Sequence, residues 1–149
     1  GCMVLADVKK RRPDIRIHMA GWDVSDWKVP FDYVNHGAMK LEELSPLYNR
    51  CAAALVMSLT NLSLLPLELL SCGTIPVVND GPNNRLVTDN PNIDYVPLSP
   101  GALAAELIRI VDADDQVEAS RRAAASVESL SWADSGRRFV ADFEEAMHA

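Results

Sequence analysis

The chain has 149 residues, of which 48% are hydrophobic, and its formal net charge at pH 7 is −7. Its length fits a single domain spanning residues 1–149, and its composition is that of a globular protein. An acidic chain repels phosphate backbones, so nucleic acid is not an expected partner.

Hydrophobic periodicity predicts strands that alternate with helices. The predicted strands are 14–21, 31–35, 52–57, 75–78 and 93–98, and the predicted helices are 1–8, 40–50, 66–72, 101–112, 114–130 and 132–148. This order is typical of a doubly wound, Rossmann-like α/β fold, whose parallel sheet binds ligands at the carboxyl ends of its strands. The apolar strands 52–57 and 75–78 are expected to be buried on both faces. The chain starts inside its first helix without a cap, which predicts amino-terminal truncation.

Cofactor and membrane signals are weak in this sequence. Its three cysteines form no CxxC pair, which favours a reducing compartment. There is neither a signal-peptide pattern nor a run of about 18 apolar residues, so no transmembrane span is expected. The expected location is the cytoplasm, and peripheral attachment to the inner face of the membrane remains an alternative.

The histidines lack zinc-ligand spacing and no Gly-rich nucleotide loop is present, so neither a metal nor a cofactor is expected.

The segment 58–73 carries the most informative polar residues. Ser63 is predicted to cap a short helix, and Pro66 fits the first turn of that helix. Free backbone amides at such a helix start can bind phosphate. Glu68 lies among leucines, where a buried carboxylate needs a partner. A ligand hydroxyl and a backbone amide both remain open as that partner.

Three segments, 34–37, 41–52 and 66–78, together resemble the carboxyl-terminal domain of family 4 glycosyltransferases, which have the GT-B fold. The segments 99–112 and 131–132 agree with the same pattern. The resemblance implies a domain that holds a nucleotide-diphosphate sugar for transfer to a glycan or another acceptor. It also implies an acceptor-binding domain and a phosphate-binding Arg/Lys pair upstream of Gly1. The chain alone is therefore expected to be inactive.

The resemblance also implies specific donor contacts. In the Glu-x7-Glu motif of the family, the second glutamate, which grips the ribose, falls on Glu68. The first falls on Thr60, which departs from the pattern because it removes a charged acceptor. Between the two motif positions, Asn61, Leu62 and Ser63 belong to the donor loop. The pattern T-N-x-S-x-x-P-x-E is similar to that of rhamnosyltransferases of bacterial surface-glycan assembly, which use dTDP-rhamnose.

Two further stretches are candidates for donor contact. The loop at His36 and Gly37 matches the one that contacts the nucleotide base in the family, through main-chain atoms in preference to the imidazole. Asn83, Asn84 and Arg85 suit either a turn or a contact with the donor. No catalytic residue is assigned.

The alternatives to a glycosyltransferase are a non-catalytic nucleotide-sugar-binding or scaffold domain, favoured by Thr60, and a GT-B sugar-nucleotide epimerase. An apolar stripe on the last helix is expected to pack, partly against the upstream domain.

Overall fold

A computed structural model describes residues 1–86 and 88–148. Its helices are α1 (Cys2–Arg11), α2 (Leu41–Tyr48), α3 (Leu65–Ser71), α4 (Pro82–Arg85), α5 (Pro100–Asp112), α6 (Gln116–Ala125) and α7 (Trp132–His148). Its strands are β1 (His18–Ala20), β2 (Val34–Gly37), β3 (Ala53–Val56), β4 (Ile75–Asn79) and β5 (Asp94–Val96). Every strand pairing within the described residues is parallel, which confirms the predicted α/β class.

The strands form two parallel sheets that are not joined to each other. One sheet contains β1 and β2, and the other has the order β3-β4-β5. A cavity of about 1060 Å³ lies between β1 and β3, and its walls include residues 14–21, which contain β1, and residues 50–57, which contain β3. This cavity is called the slot below.

The second strand lies further along the chain than the sequence predicts. The prediction placed it at 31–35, but β2 begins at Val34 and contains His36 and Gly37. The Val34 N–H donates to the Ile17 carbonyl at 2.8 Å, which fixes the start of the parallel ladder. Tyr33 instead turns to the preceding loop, where its hydroxyl donates to the Val24 carbonyl at 3.2 Å.

Burial differs sharply between the two apolar strands. All five residues of β4 are buried, as predicted for 75–78. In β3 only Val56 is buried, so the prediction of burial on both faces is wrong for most of that strand. The reason is that β3 has β4 along one edge and the slot along the other.

The helix α5 supplies much of the core. Its buried face consists of Leu103, Ala104, Leu107 and Ile110, which recur every three or four residues as an amphipathic helix requires. It packs against β3, β4 and β5, and α1 packs on it in turn. Fully burying one leucine stabilises the fold by about 1.5–3 kcal/mol, so this face is a major source of stability.

The last helix makes almost no contribution to the core. The structure confirms a helix at 132–148, but none of its described residues is buried. The apolar stripe that was expected to pack is exposed in this structure and comprises Trp132, Phe139, Val140, Phe143 and Met147. No helix among the described residues is both long and apolar enough to cross a membrane.

The close approach of α6 to Gly73 gives a test of the packing. Gly73 has a φ of +74°, and a Cβ built there would lie 2.1 Å from Ser120 Oγ and 3.2 Å from the Ser120 carbonyl oxygen. We expect Gly73→Ala to lower the free energy of unfolding by about 1–3 kcal/mol, through backbone strain and the clash. Denaturant titration measures it. Gly136→Ala is the control, since Gly136 has open space around it. Equal effects of the two substitutions would contradict the packing.

Candidate functional site

The loop that follows β3 is tied to the carboxyl end of β4. The Ser58 N–H donates to Asn79 Oδ1 at 2.9 Å, and Asn79 Nδ2 donates back to the Ser58 carbonyl at 2.8 Å. Asn79 is 3% exposed, so these bonds are shielded from water and fix the point where the loop leaves the sheet. Sequence reasoning missed this role. The only available signal was a polar residue that ends an otherwise apolar strand.

Asn84 adds a second brace to the same loop. Its Nδ2 donates to the Ser58 carbonyl at 3.0 Å and to the Asn79 carbonyl at 2.7 Å. The Asn84 side chain is buried and its Oδ1 has no hydrogen-bond partner among the described residues. The sequence left turn chemistry and donor contact open for Asn84. The structure places it in α4, and its side chain stabilises the start of the loop through these hydrogen bonds.

The rest of the loop is ordered by short local bonds. Asn61 Oδ1 accepts from the Ser63 N–H at 3.1 Å, and Ser58 Oγ accepts from the Thr60 N–H at 3.2 Å. Leu62 is 3% exposed and anchors the loop in the core. The side chains of Thr60, Asn61 and Ser63 are exposed above it.

The start of α3 differs from the prediction in its cap. Ser63 has a φ of +53° and makes no capping bond within the described residues. The N-cap position of α3 is occupied by Leu64, whose side chain cannot accept a hydrogen bond. The prediction that Ser63 caps this helix is therefore wrong. Pro66 does lie in the first turn, as predicted, and is buried.

Glu68 lies on the outer face of α3. The expectation of a carboxylate buried among leucines is wrong: Glu68 is exposed, whereas Leu69 and Leu70 carry the buried face. Its carboxylate has no hydrogen-bond or ion-pair partner among the described residues. Burial, followed by the charge of Glu68, raises the pKa of Tyr48 at the end of α2.

A cation lies at the end of β4, but it is already paired. Arg85 Nε donates to Asp80 Oδ1 at 2.6 Å, and the guanidinium lies 4.6 Å from the centre of the Tyr95 ring. The Arg85 hydrogen bond lowers the pKa of Asp80, so this carboxyl stays ionised at neutral pH. The pair is therefore close to neutral overall.

Two histidines meet across the first sheet. His18 Nδ1 lies 2.9 Å from His36 Nε2, and the two rings stack with their centres 5.2 Å apart. Gly37 follows with a φ of +59°, and its carbonyl accepts from the Gly21 N–H at 2.8 Å. The imidazole of His36 is thus held by His18. His36 and Gly37 lie in β2, which is separated from the slot by β1, whereas the 58–63 loop follows β3 on the other side of the slot.

Comparisons with known proteins bear on this arrangement. A family described as WsaF, C-terminal domain, matches residues 1–108. The chain belongs to this family. The O-antigen biosynthesis protein RfbC of Myxococcus xanthus is 33% identical over 112 residues, which cover 72% of this chain and 9% of that protein. Together the two matches support a glycosyltransferase-type C-terminal domain.

The match to the WsaF C-terminal family covers the candidate site. It includes all five strands and the 58–63 loop, and it ends within α5, so α6 and α7 lie beyond it. The matched part of the chain spans less than a tenth of the length of RfbC. Within the described ranges, no group of three or more His, Cys, Asp or Glu side chains is arranged to hold a metal ion.

The brace under the loop predicts a stability effect. We expect Asn84→Ala to lower the free energy of unfolding by about 1–3 kcal/mol, since it removes two buried hydrogen bonds. Asn83→Ala is the matched control, because Asn83 is exposed on the same helix. Thermal melting of both variants measures the difference. Indistinguishable melting temperatures would mean that the brace contributes nothing.

The histidine pair predicts a pH effect. Burial, and then the charges of His36, Arg50 and Arg16, lower the pKa of His18 from its ordinary value of 6.5. The unfolded chain therefore takes up the proton first, so stability falls as the pH drops below about 6.5 and is unaffected by this group above it.

We expect His18→Asn to reduce the fall in melting temperature between about pH 8 and pH 5, where imidazole titrates. His148→Asn, at the exposed end of α7, is the control and should leave the fall unchanged. An identical pH profile for His18→Asn and the wild type would contradict the interpretation.

Proposed function

We propose that the chain is the donor-binding domain of a glycosyltransferase that builds a bacterial surface polysaccharide. The observation that carries this proposal is the 58–63 loop, which is held at the carboxyl end of β3 and exposes the side chains of Thr60, Asn61 and Ser63. It is followed by Glu68, which is exposed and has no partner among the described residues. Ligands of doubly wound folds bind at this edge. Membership of the WsaF C-terminal family, and a relative named for O-antigen biosynthesis, support the same function.

The loop can position a sugar with little loss of entropy. Its stem is fixed by Asn79 and Asn84, while the exposed side chains of Thr60, Asn61 and Ser63 offer hydroxyl and amide groups. A preordered loop pays less for binding than a mobile one. In this proposal, the three side chains contact the sugar or the diphosphate, and the 36–37 segment contacts the base.

Glu68 would accept hydrogen bonds from ribose or sugar hydroxyls. Its carboxylate has no partner to give up among the described residues, so ligand binding breaks no internal ion pair. A hydrogen bond to a charged group contributes about 1.5–3 kcal/mol. The donor would be a nucleotide-diphosphate sugar, and dTDP-rhamnose is the specific candidate indicated by the loop pattern.

The charge of this chain indicates that other parts of a longer polypeptide are also needed to bind the diphosphate. The nearby Arg85 is neutralised by Asp80, and the chain as a whole carries a net charge of −7. We therefore expect the phosphate-binding cations, and the acceptor site, to belong to other parts of a longer polypeptide. The alignment to only 9% of RfbC supports that expectation. We place the reaction in the cytoplasm.

A second candidate is a non-catalytic domain that binds a nucleotide sugar. Thr60 favours it, because a threonine cannot supply the charged contact that a glutamate would make at this position. Transfer of sugar by the longer natural polypeptide separates the two functions. Donor binding without transfer under any acceptor condition would favour the second.

Glu68 gives the direct test. In the longer natural polypeptide, we expect Glu68→Gln to weaken dTDP or UDP binding by about 10- to 100-fold, in proportion to the loss of a charged acceptor. Isothermal titration with both nucleotides measures it, and Glu144→Gln on the remote α7 is the matched control. Unchanged affinity for both nucleotides would exclude Glu68 from the donor site.

A further inference from the structure

The connection between β1 and β2 is unusual for parallel strands. The two strands are neighbours in one sheet and are joined by residues 21–33, called the β1–β2 loop below. Such a crossover usually contains a helix. The structure describes every residue of this loop, and none of them is helical. An irregular connection of about a dozen residues is uncommon in a compact domain unless it has a function or is disordered.

Hydrogen bonds order this loop. The Val24 carbonyl accepts from the Tyr33 hydroxyl at 3.2 Å and from the Trp27 N–H at 2.9 Å. Val24 itself is 4% exposed, so it anchors the loop in the protein interior. Asn35 Nδ2, from β2, donates to Asp23 Oδ1 at 2.8 Å. The loop is therefore preordered on the sheet, and a function explains its length better than disorder does.

The carboxylate of Asp23 uses its two oxygens differently. Oδ1 accepts from the Ser25 N–H at 2.9 Å, from the Ser25 hydroxyl at 2.5 Å and from Asn35 Nδ2. Oδ2 has no hydrogen-bond partner among the described residues, and Asp23 is exposed. The bonds from Ser25, and then that from Asn35, lower the pKa of Asp23, so this carboxyl is ionised at neutral pH. One oxygen thus fixes the carboxylate in place, and the other is free to accept from a ligand.

Two tryptophans flank this carboxylate in the chain, and both face solvent. Trp22 is 73% exposed and Trp27 is 55% exposed. An indole ring has one of the largest apolar surfaces of any side chain, so covering two of them contributes strongly to binding. Exposed apolar groups rimmed by polar ones mark interaction sites. The β1–β2 loop thus presents two aromatic rings and one charged hydrogen-bond acceptor to a ligand.

The charge of the loop decides which ligand fits these groups. The loop carries three aspartates, Asp23, Asp26 and Asp32, against one lysine, Lys28. Anionic membranes are bound by surfaces rich in Lys and Arg, and an acidic surface repels ligands that carry phosphate. A neutral sugar avoids this repulsion. The C–H bonds on the face of a pyranose ring stack on the negative face of an aromatic ring, while its hydroxyls donate to a carboxylate.

We propose that the β1–β2 loop binds a neutral glycan, with the indoles of Trp22 and Trp27 stacked on pyranose rings and Asp23 Oδ2 accepting from a sugar hydroxyl. This site is separate from the 58–63 loop and Glu68, which the proposed function assigns to the donor. It holds sugars of the growing polysaccharide that are remote from the end that receives the next sugar. A second contact of this kind raises the effective concentration of that end at the enzyme. The identity of the glycan rests on the proposed function, whereas the sugar-binding chemistry of the loop does not.

Isothermal titration of the longer natural polypeptide with neutral tetrasaccharides tests the site, and the probes are tetrarhamnose, maltotetraose and mannotetraose. We expect at least one of them to bind, and Trp22→Ala and Trp27→Ala each to weaken that binding by about fivefold or more, as truncation of an aromatic hot-spot residue does. Trp22→Phe retains an aromatic face and should recover part of the affinity. Trp132→Ala is the matched control, because Trp132 is 79% exposed on the remote α7.

Asp23→Asn tests the hydrogen bond separately from the order of the loop. An asparagine keeps Oδ1 as the acceptor for Ser25 and Asn35, but it replaces Oδ2 by an amide nitrogen that cannot accept. We expect the sugar affinity to fall by about tenfold, as loss of a charged acceptor implies, with a melting temperature close to that of the wild type. An unchanged sugar affinity would overturn the role of Asp23.

Other outcomes overturn the glycan site as a whole. These are failure of all the tetrasaccharides to bind, and binding that neither tryptophan substitution weakens. Titration with dTDP separates this site from the donor site: Trp22→Ala should leave the dTDP affinity unchanged, and a loss would place the indole in the donor site and overturn the proposal. Failure of the wild type to bind dTDP or UDP would instead contradict the proposed function alone. Binding to phosphatidylglycerol vesicles that Trp22→Ala abolishes would identify a membrane contact and would also overturn the glycan site.

Discussion

The burial of β4 is the constraint on which the rest of the structure depends. A parallel strand cannot leave one face in water as antiparallel strands do, because its crossover helices cover both faces. Here α5 covers the sheet with its leucine and isoleucine face, and α3 and α6 also pack on β4. Every residue of β4 is consequently apolar until the strand ends at Asn79.

The asparagine that ends β4 links the packed core to the loop of the candidate site. Because Asn79 is buried beside the end of β3, its amide must be satisfied, and the groups that satisfy it are the Ser58 backbone N–H and C=O. Asn84 meets the same carbonyl from α4. The exposed side chains of the loop are thus positioned by hydrogen bonds to a fully buried strand, as a binding loop on a rigid scaffold requires.

The sequence predicted the type and order of the main elements because their signals are local. Apolar runs specify β3 and β4, and the spacing of Leu103, Leu107 and Ile110 specifies α5. It predicted less where partners lie far apart in the chain. The position of β2 depends on the Ile17 carbonyl, and the exposure of Glu68 depends on which face of α3 meets the core. The role of Asn84 depends on contacts 26 residues away. Periodicity carries no information about such pairs.

Because α7 is exposed, its stability is separate from that of the residues that form the sheet and the core. Isolated helices of this length are marginal in water, so the helicity of α7 is not secured by the hydrophobic burial that holds the other helices. Heat capacity and denaturant dependence of unfolding scale with the surface that folding buries. Both quantities therefore reflect the residues before Trp132, and the last helix can lose or regain its turns without changing the cooperative transition of the sheet.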